Sequence, residues 1–370
     1  MDFTTSIFGD FAKFRYGKMP KKSSVKEDGK YPIYSGYRYV GYCDEYNIEA
    51  NQLIIVARGV GGTGDVKLTK EKCYLTNLSI SAEIDASIAL PEYLYYYFSI
   101  RNLRYLDSGS AQSQITISDL ARVEIPLPNI EIQKKIVHCL GVLDRKISAN
   151  EAINDNLEQQ AQAIFRREVL RNGKLPPNWT TGSLLDIADY LNGLAMQKFR
   201  PIDGERGLPV LKIKELRQGF CDYSSELCSP NIKPEFIVHD GDVIFSWSGS
   251  LLVDLWCGGT CGLNQHLFKV TSDKYPKWFY YAWTAHHLAR FVAIAADKAT
   301  TMGHIKREDL AKAEVIIPDT ASMERIGGVL EPIYDLIINQ RIENRKLSML
   351  RDALLPKLMS GELDVSAIEL

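Results

Sequence analysis

From Ile132 onward, apolar residues recur at 136, 140, 143, 147, 157, 161 and 164. This three-four spacing marks one helix face that meets a single partner helix. Asn150 and Asn154 interrupt the stripe. A second stripe runs through Ile326, Leu330, Ile333, Ile337, Leu347 and Leu354, with Gln340 and Asn344 at its interruption. Gly141 in one and Pro332 in the other are breakers at corresponding places, and they predict a short helix followed by a longer one. One arrangement packs each helix on its own globule. The other pairs them antiparallel, and it is preferred because polar seam residues at matched heights satisfy one another and fix register. The expected seam is Leu140, Ile147, Asn150, Asn154 and Leu157 against Leu330, Ile337, Gln340, Asn344 and Leu347.

Ahead of each helix, residues 1–128 and 176–318 are rich in β-branched and aromatic runs broken by Gly, Asn and Pro. Gln52–Ala57 and Asp242–Trp247 read as strands following turns, and helices are expected near Pro91 and Pro276, since proline suits a first helical turn. The similarity between the two stretches is literal. Displaced by 190 residues, Ile115, Asp119, Leu120, Ala121 and Glu124 coincide with Ile305, Asp309, Leu310, Ala311 and Glu314. PEYLYY (91–96) matches PKWFYY (276–281), LRNGKL (170–175) matches LMSGEL (358–363), and EANQLIIVARG (49–59) resembles HDGDVIFSWSG (239–249). The chain is one unit written twice. The expected class is α+β: two mixed α/β domains in pseudo-twofold repeat, separated by two long helices that pair as an antiparallel coiled coil. The boundaries are 1–128, 129–175, 176–318 and 319–370.

This layout resembles the specificity subunit of Type I restriction–modification systems. The residues that carry the resemblance are SQITISDLARVEIPLPNIEIQKKI (113–136), HIKREDLAKAEVIIP (304–318), LLPKLMSGELDVS (354–366) and LPPNWTTGSLLDIADYLNG (175–193), with YPIYSGYRYVGY (31–42) and ARGVGGTGDV (57–66) in the first copy. The resemblance implies two target recognition domains alternating with two helical regions, and double-stranded DNA as ligand. It also implies partners: two methyltransferase subunits using S-adenosylmethionine, and restriction/translocase subunits using ATP. No cofactor is expected on this chain, and no catalysis. The docking surface is placed on the outward helix faces, around Lys134, Lys135, Arg145, Arg325, Arg341 and Arg345. A helical region of about 35 residues, at roughly 1.5 Å each, gives about 50 Å. That suits a ruler between half-sites one helical turn, about 34–36 Å, apart. Two rival readings remain: a self-contained DNA methyltransferase fragment, and a duplicated scaffold that never touches DNA.

Composition constrains this only loosely. Of 370 residues 45% are hydrophobic and 24% charged, and the net charge is −2, so any DNA-binding face must come from local sorting of charge. No run of about 18 apolar residues predicts a membrane span, and the opening MDFTTSIFGDFAKFRYGK has no signal-peptide pattern. A cytoplasmic protein is expected. Seven cysteines without framework spacing read as free thiols, with Cys257 and Cys261 too isolated a pair for structural zinc.

Lys18, Lys21 and Lys22, within a basic run from Lys13 to Lys30, suit phosphate oxygens; a solvated loop is the alternative. Tyr37 and Arg38 lie in a glycine-punctuated turn, Arg58 follows a strand, and Ser113 and Gln114 precede the shared Ile-x-x-x-Asp-Leu segment, where Gly303 and His304 stand in the second copy. The second domain offers Lys198, Arg200, Lys212 and Lys214 as a counterpart patch. Gln265 and His266, beside Asn264, are candidates for base edges or for core hydrogen bonding. Gly59–Gly64 spells G-x-G-x-x-G, but the alternating DVKLTKEKCYLTNLSI that follows predicts a strand, not the helix a dinucleotide site requires. No catalytic or metal-binding set is predicted.

Overall fold

The computed structural model describes residues 2–36, 38–59, 62–107, 114–170, 175–297 and 303–369. The chain divides into two compact units. The first holds residues 1–145 and 349–370, the second residues 146–348. Both divisions fall inside the long helices, so each unit contains part of both.

In the first unit, Phe3–Ile7 pairs antiparallel with Glu124–Pro128. A four-stranded antiparallel sheet runs in the order Ala12–Tyr16, Ser79–Ile84, Leu53–Val56, Val66–Leu68. Every residue of Leu53–Val56 is buried, which is why this strand reads as an unbroken apolar run. Ala12–Tyr16, at the sheet edge, exposes three of its five residues. A smaller sheet orders Arg38–Cys43, Tyr31–Ser35 and Tyr74–Leu75, the last pair parallel. Helix Pro91–Ile100 buries Tyr93 and Leu94 against the first sheet.

The second unit repeats the plan. Thr180–Ser183 pairs antiparallel with Glu314–Ile317. The main sheet orders Asp189–Asn192, Leu267–Thr271, Val243–Ser246 and Leu252–Leu255, again with a wholly buried central strand. The smaller sheet joins Leu208–Leu211 and Cys261–Leu263 in parallel, flanked by Leu227–Cys228 and Ile237–Val238. Helix Lys277–His286 takes the place of Pro91–Ile100.

Two sequence identities between the copies acquire causes here. Asp119 accepts the backbone N–H of Thr116 at 2.9 Å, and Asp309 accepts that of Lys306 at 2.9 Å. Each thereby satisfies an orphan donor at the start of a short helix. Gly17 and Gly193 follow the first strand of the main sheet in their domains. A Cβ on either would lie 2.2 Å from a carbonyl oxygen, of Thr76 or Asn264 respectively. Only glycine fits.

The long helices span Ile130–Glu168 and Thr320–Ser360 without interruption. The expected breaks at Gly141 and Pro332 do not occur. Pro332 forgoes one hydrogen bond and crowds the carbonyl four residues before it, yet the helix continues through it. Leu330, Tyr334 and Ile337 around it are buried in the second core, and such packing outweighs local propensity.

In the first unit Ile132, Ile136 and Leu140 share a core with Leu355, Leu358, Met359 and Val365, and Arg351 donates to Asp144 at 2.9 Å. In the second, Ala161 and Phe165 share a core with Ile326, Leu330 and Ile337, while Leu157 packs against its edge. Arg325 donates to Glu168 at 3.0 Å there. The start of one helix therefore meets the end of the other, which is antiparallel pairing. Asn150, buried, donates to Asn344 Oδ1 at 2.8 Å and Glu343 Oε2 at 2.7 Å, and Asn344 donates to the carbonyl of Ile147 at 3.2 Å. Ile147 and Leu347 are half-buried.

Amide pairing stops there. Among the described residues no donor reaches Asn150 Oδ1, Asn154 Oδ1 or Gln340 Oε1, all shielded from solvent. A buried acceptor without a donor costs about 1–3 kcal/mol. Asn154→Leu is accordingly expected to stabilise the chain by about 1 kcal/mol in denaturant unfolding. A loss of stability would show that Asn154 supports the seam through bonds the static arrangement lacks.

Candidate nucleic-acid interface

Past the end of each central strand, the chain pairs once with the segment leading into the shared Ile-x-x-x-Asp-Leu motif. Arg58 bridges Gln114 in the first domain, and Ser248 bridges His304 in the second. The neighbouring backbone bonds are equivalent too: Ile115 N–H donates to Ala57 at 2.9 Å, and Ile305 N–H to Trp247 at 2.9 Å. Both bridges precede a glycine with positive φ, Gly59 and Gly249, a conformation that costs glycine little. Two predicted residues of the first domain, Arg58 and Gln114, are thus brought together, and His304 occupies the matching place in the second.

The second bridge carries further groups. Ser248 Oγ and His266 Nδ1 lie 3.0 Å apart, and Gln265 Nε2 and His266 Nε2 3.4 Å apart. The Trp247 ring stands 6.0 Å from the His266 ring and 6.2 Å from the His304 ring, centroid to centroid. Its indole N–H donates to Asn192 at 2.9 Å. His266 and His304 are exposed and Trp247 is half-buried. Asn264, buried, bonds to Gln265 at 3.1 Å, so it orders the loop rather than facing outward.

The basic candidates sort by whether a carboxylate holds them. In the first domain Lys18 follows Gly17, and Lys21 and Lys22 lie at a single turn of 3-10 helix, Lys22–Ser24. All three are exposed, and none has an ion pair among the described residues. By contrast, Arg15 lies 3.5 Å from Glu83, Lys26 is bound by Asp44, and Lys30 stands 5.3 Å over the Tyr31 ring. Arg38 opens its strand opposite Ser35, exposed; Tyr37 and Ser113 lie outside the described residues. Of the second domain's four predicted cations, only Lys198 is exposed without an ion pair among the described residues. Glu226 holds both Arg200, at 2.8 Å, and Lys212, and Asp222 holds Lys214 at 3.3 Å. Hydrogen bonds from the Ser224 hydroxyl and N–H, helped by Lys214, depress the Asp222 carboxyl to about 2. That patch neutralises itself.

Arg341 and Arg345 are not on an outward docking face. Arg341 grips Asp254 with two bonds of 2.7 and 2.6 Å, and Arg345 grips Asp240 at 2.7 and 2.8 Å. Both guanidiniums point from the second long helix into their own domain. Helical periodicity could not separate them from the exposed charges on the same helix, because their partners are 87 and 105 residues away in sequence. The first domain is fastened differently. Buried Gln133 accepts from Leu90 N–H at 2.9 Å and donates to the carbonyls of Ile88 and Pro128 at 3.0 and 2.9 Å.

No helix among the described residues is long and apolar enough to cross a membrane, and no group of three or more His, Cys, Asp or Glu among them could hold a metal. The model of the Type I restriction modification DNA specificity domain matches residues 2–159 and 176–346. The chain is 27% identical over 320 residues to the Type I restriction enzyme MjaIX specificity subunit of Methanocaldococcus jannaschii, covering 79% of this chain and 74% of that one. Against the HindI specificity subunit of Haemophilus influenzae, identity is 22% over 363 residues, covering 76% and 79%. A crystal structure of the S subunit of a Type-I restriction-modification system from M. genitalium superposes with a TM-score of 0.67 at 16% identity, covering 96% of each chain.

Burial opposes ionisation of Asp240, but the Arg345 fork and the Gly259 N–H outweigh it, so its carboxyl titrates below the ordinary 3.8. A depressed acid stabilises the fold above its unfolded value and loses that contribution as pH falls through the folded one. Arg345→Met is expected to cost about 2 kcal/mol at pH 7, with the gap to the parent closing only as pH falls below about 4, through the depressed Asp240 value. Denaturant titrations across that range would contradict this if the gap stayed constant.

Proposed function

The chain belongs to the Type I restriction–modification DNA specificity family, and from that premise we propose that it is the sequence-reading subunit of such a complex. It takes two unlike half-sites of double-stranded DNA around an unread spacer, one with each domain. It docks two methyltransferase subunits and the restriction/translocase subunits, and does no chemistry itself. In this reading S-adenosylmethionine and ATP are bound by the partners in the cytoplasm, and this chain holds no cofactor.

The observation that carries the reading is the conserved scaffold with changed contents. Two domains of one plan present their bridge at the same place, one with Arg58 and Gln114, the other with Ser248 and His304. A shared scaffold with divergent polar tips suits two readers of different sequences. Affinity is a separate matter. A net charge of −2 leaves phosphate contact to local cations, of which Lys18, Lys21, Lys22 and Lys198 are exposed. Docking is assigned to the outward helix faces, where Arg145 is exposed. Lys134 and Lys135, at the helix start, are engaged by Glu131 at 2.7 Å and by the Ser366 carbonyl at 2.6 Å.

Exchange of residues 1–128 for the corresponding domain of another specificity subunit is expected to alter one half of the methylated target and leave the other intact. Alteration of both halves, or of neither, would contradict one-domain-one-half-site reading. In complex with its methyltransferase partner, the chain should bind duplex with affinity that falls steeply with salt, each phosphate contact contributing about 0.9 to the log–log slope. Absent or salt-insensitive binding would favour a scaffold that never touches DNA. Retention of labelled S-adenosylmethionine by the purified chain alone would favour an enzyme.

A further inference from the structure

The register of the two main sheets allows the domains to be compared position by position. Tyr16 lies opposite Ile80, and Ile55 opposite Ile80 on the other side. Asn192 lies opposite Phe268, and Phe245 opposite Phe268. The bridges align Arg58 with Ser248 and Gln114 with His304. By this alignment Trp247 stands where the first domain has Ala57, Phe268 where it has Ile80, and Arg307 where it has Ile117.

Two aromatic rings and two imidazoles therefore gather at one place in the second domain, where the aligned positions of the first hold Ala57, Ile80 and Gln114, with Tyr16 in place of Asn192. Trp247 and Phe268 stand 5.7 Å apart with planes inclined by 31°. With Asn192, Ile305 and Arg307 they line a recess of about 450 Å³, and the His266 and His304 rings stand 6.0 and 6.2 Å from the indole. Three aspects are hard to attribute to packing. The indole stays half-buried, both imidazoles are exposed, and the first domain builds the same scaffold with alanine and isoleucine.

We propose that the bridge is the specificity-determining site of each domain, with non-equivalent chemistry in the two: Arg58 with Gln114 in the first, Trp247 with His266 and His304 in the second. This rests on the DNA-recognition reading above and deepens it. A guanidinium is matched to the two acceptors of a guanine edge, and a carboxamide to the donor and acceptor of adenine. The first site accordingly reads base edges through hydrogen bonds from straight-chain donors. The second presents a flat apolar edge between two groups that donate or accept, which suits a base pair carrying the thymine methyl beside a hydrogen-bonding neighbour. Lys18, Lys21, Lys22 and Lys198 lie outside both sites and serve the backbone.

The test uses the full chain in complex with its methyltransferase partner, on duplexes carrying the methylated target and every single base-pair substitution of it. Trp247→Ala and His304→Ala are expected to lose tenfold or more of the discrimination at one position of one half-site, and Arg58→Ala to do so in the other half-site only. Trp247→Phe, which keeps a flat apolar edge, is expected to restore most of it and guards against a variant that fails to fold. Uniform weakening on every duplex, or discrimination equal to the parent's, would overturn the assignment. If the parent complex itself discriminates among none of the duplexes, the DNA-recognition reading fails instead.

Discussion

Each domain finishes its core with pieces of both long helices. Ile136 and Leu140 from the first helix and Leu355 and Leu358 from the second lie fully or almost fully buried with the first domain, as Ala161 and Leu330 do with the second. Burying such side chains is worth about 1.5–3 kcal/mol each for the larger ones, so neither domain is complete without the helix pair. The antiparallel arrangement is the constraint on which the rest depends. Each helix contributes one end to each unit, so both cores depend on the same pairing.

Polar groups on the seam then set which residues face each other. Asn150 with Asn344 fixes the second unit's register by a direct amide bond, and Asp144 with Arg351 does the same in the first by charge. The unsatisfied oxygens of Asn154 and Gln340 mark a cost accepted beside that register. Fastening of the domains differs as well: neutral amide bonds from Gln133 on one side, two guanidinium–carboxylate forks from Arg341 and Arg345 on the other. The scaffold is shared while its fastenings and tips have diverged.

Much of this was legible in the sequence because duplication and periodicity survive without coordinates. The stripes put Leu140, Leu157, Leu330 and Ile337 on the expected seam with polar residues at its interruptions, but that Asn150 meets Asn344 is visible only in the fold. The helix breaks at Gly141 and Pro332 were misread, since local propensity carries no information about the core behind Leu330 and Ile337. Charge was the least legible property. Arg200, Lys212 and Lys214 looked like a basic patch until Glu226 and Asp222 folded onto them, and Arg341 looked outward-facing until Asp254 met it. Trp247 was visible only as the end of a strand. The same 190-residue displacement that revealed the repeat sets it against Ala57, and that substitution was the available signal.

The pairing of the helices is open to a direct measurement. Cysteines introduced at 150 and 344, where the native side chains meet at 2.8 Å, should form a disulfide under mild oxidation, identified by mass spectrometry of the linked peptides. A control pair at 150 and 330 should stay reduced. Efficient linkage of 150 to 344 alone is the predicted result; linkage of the control pair, or none at 150 and 344 in folded protein, would contradict the antiparallel seam.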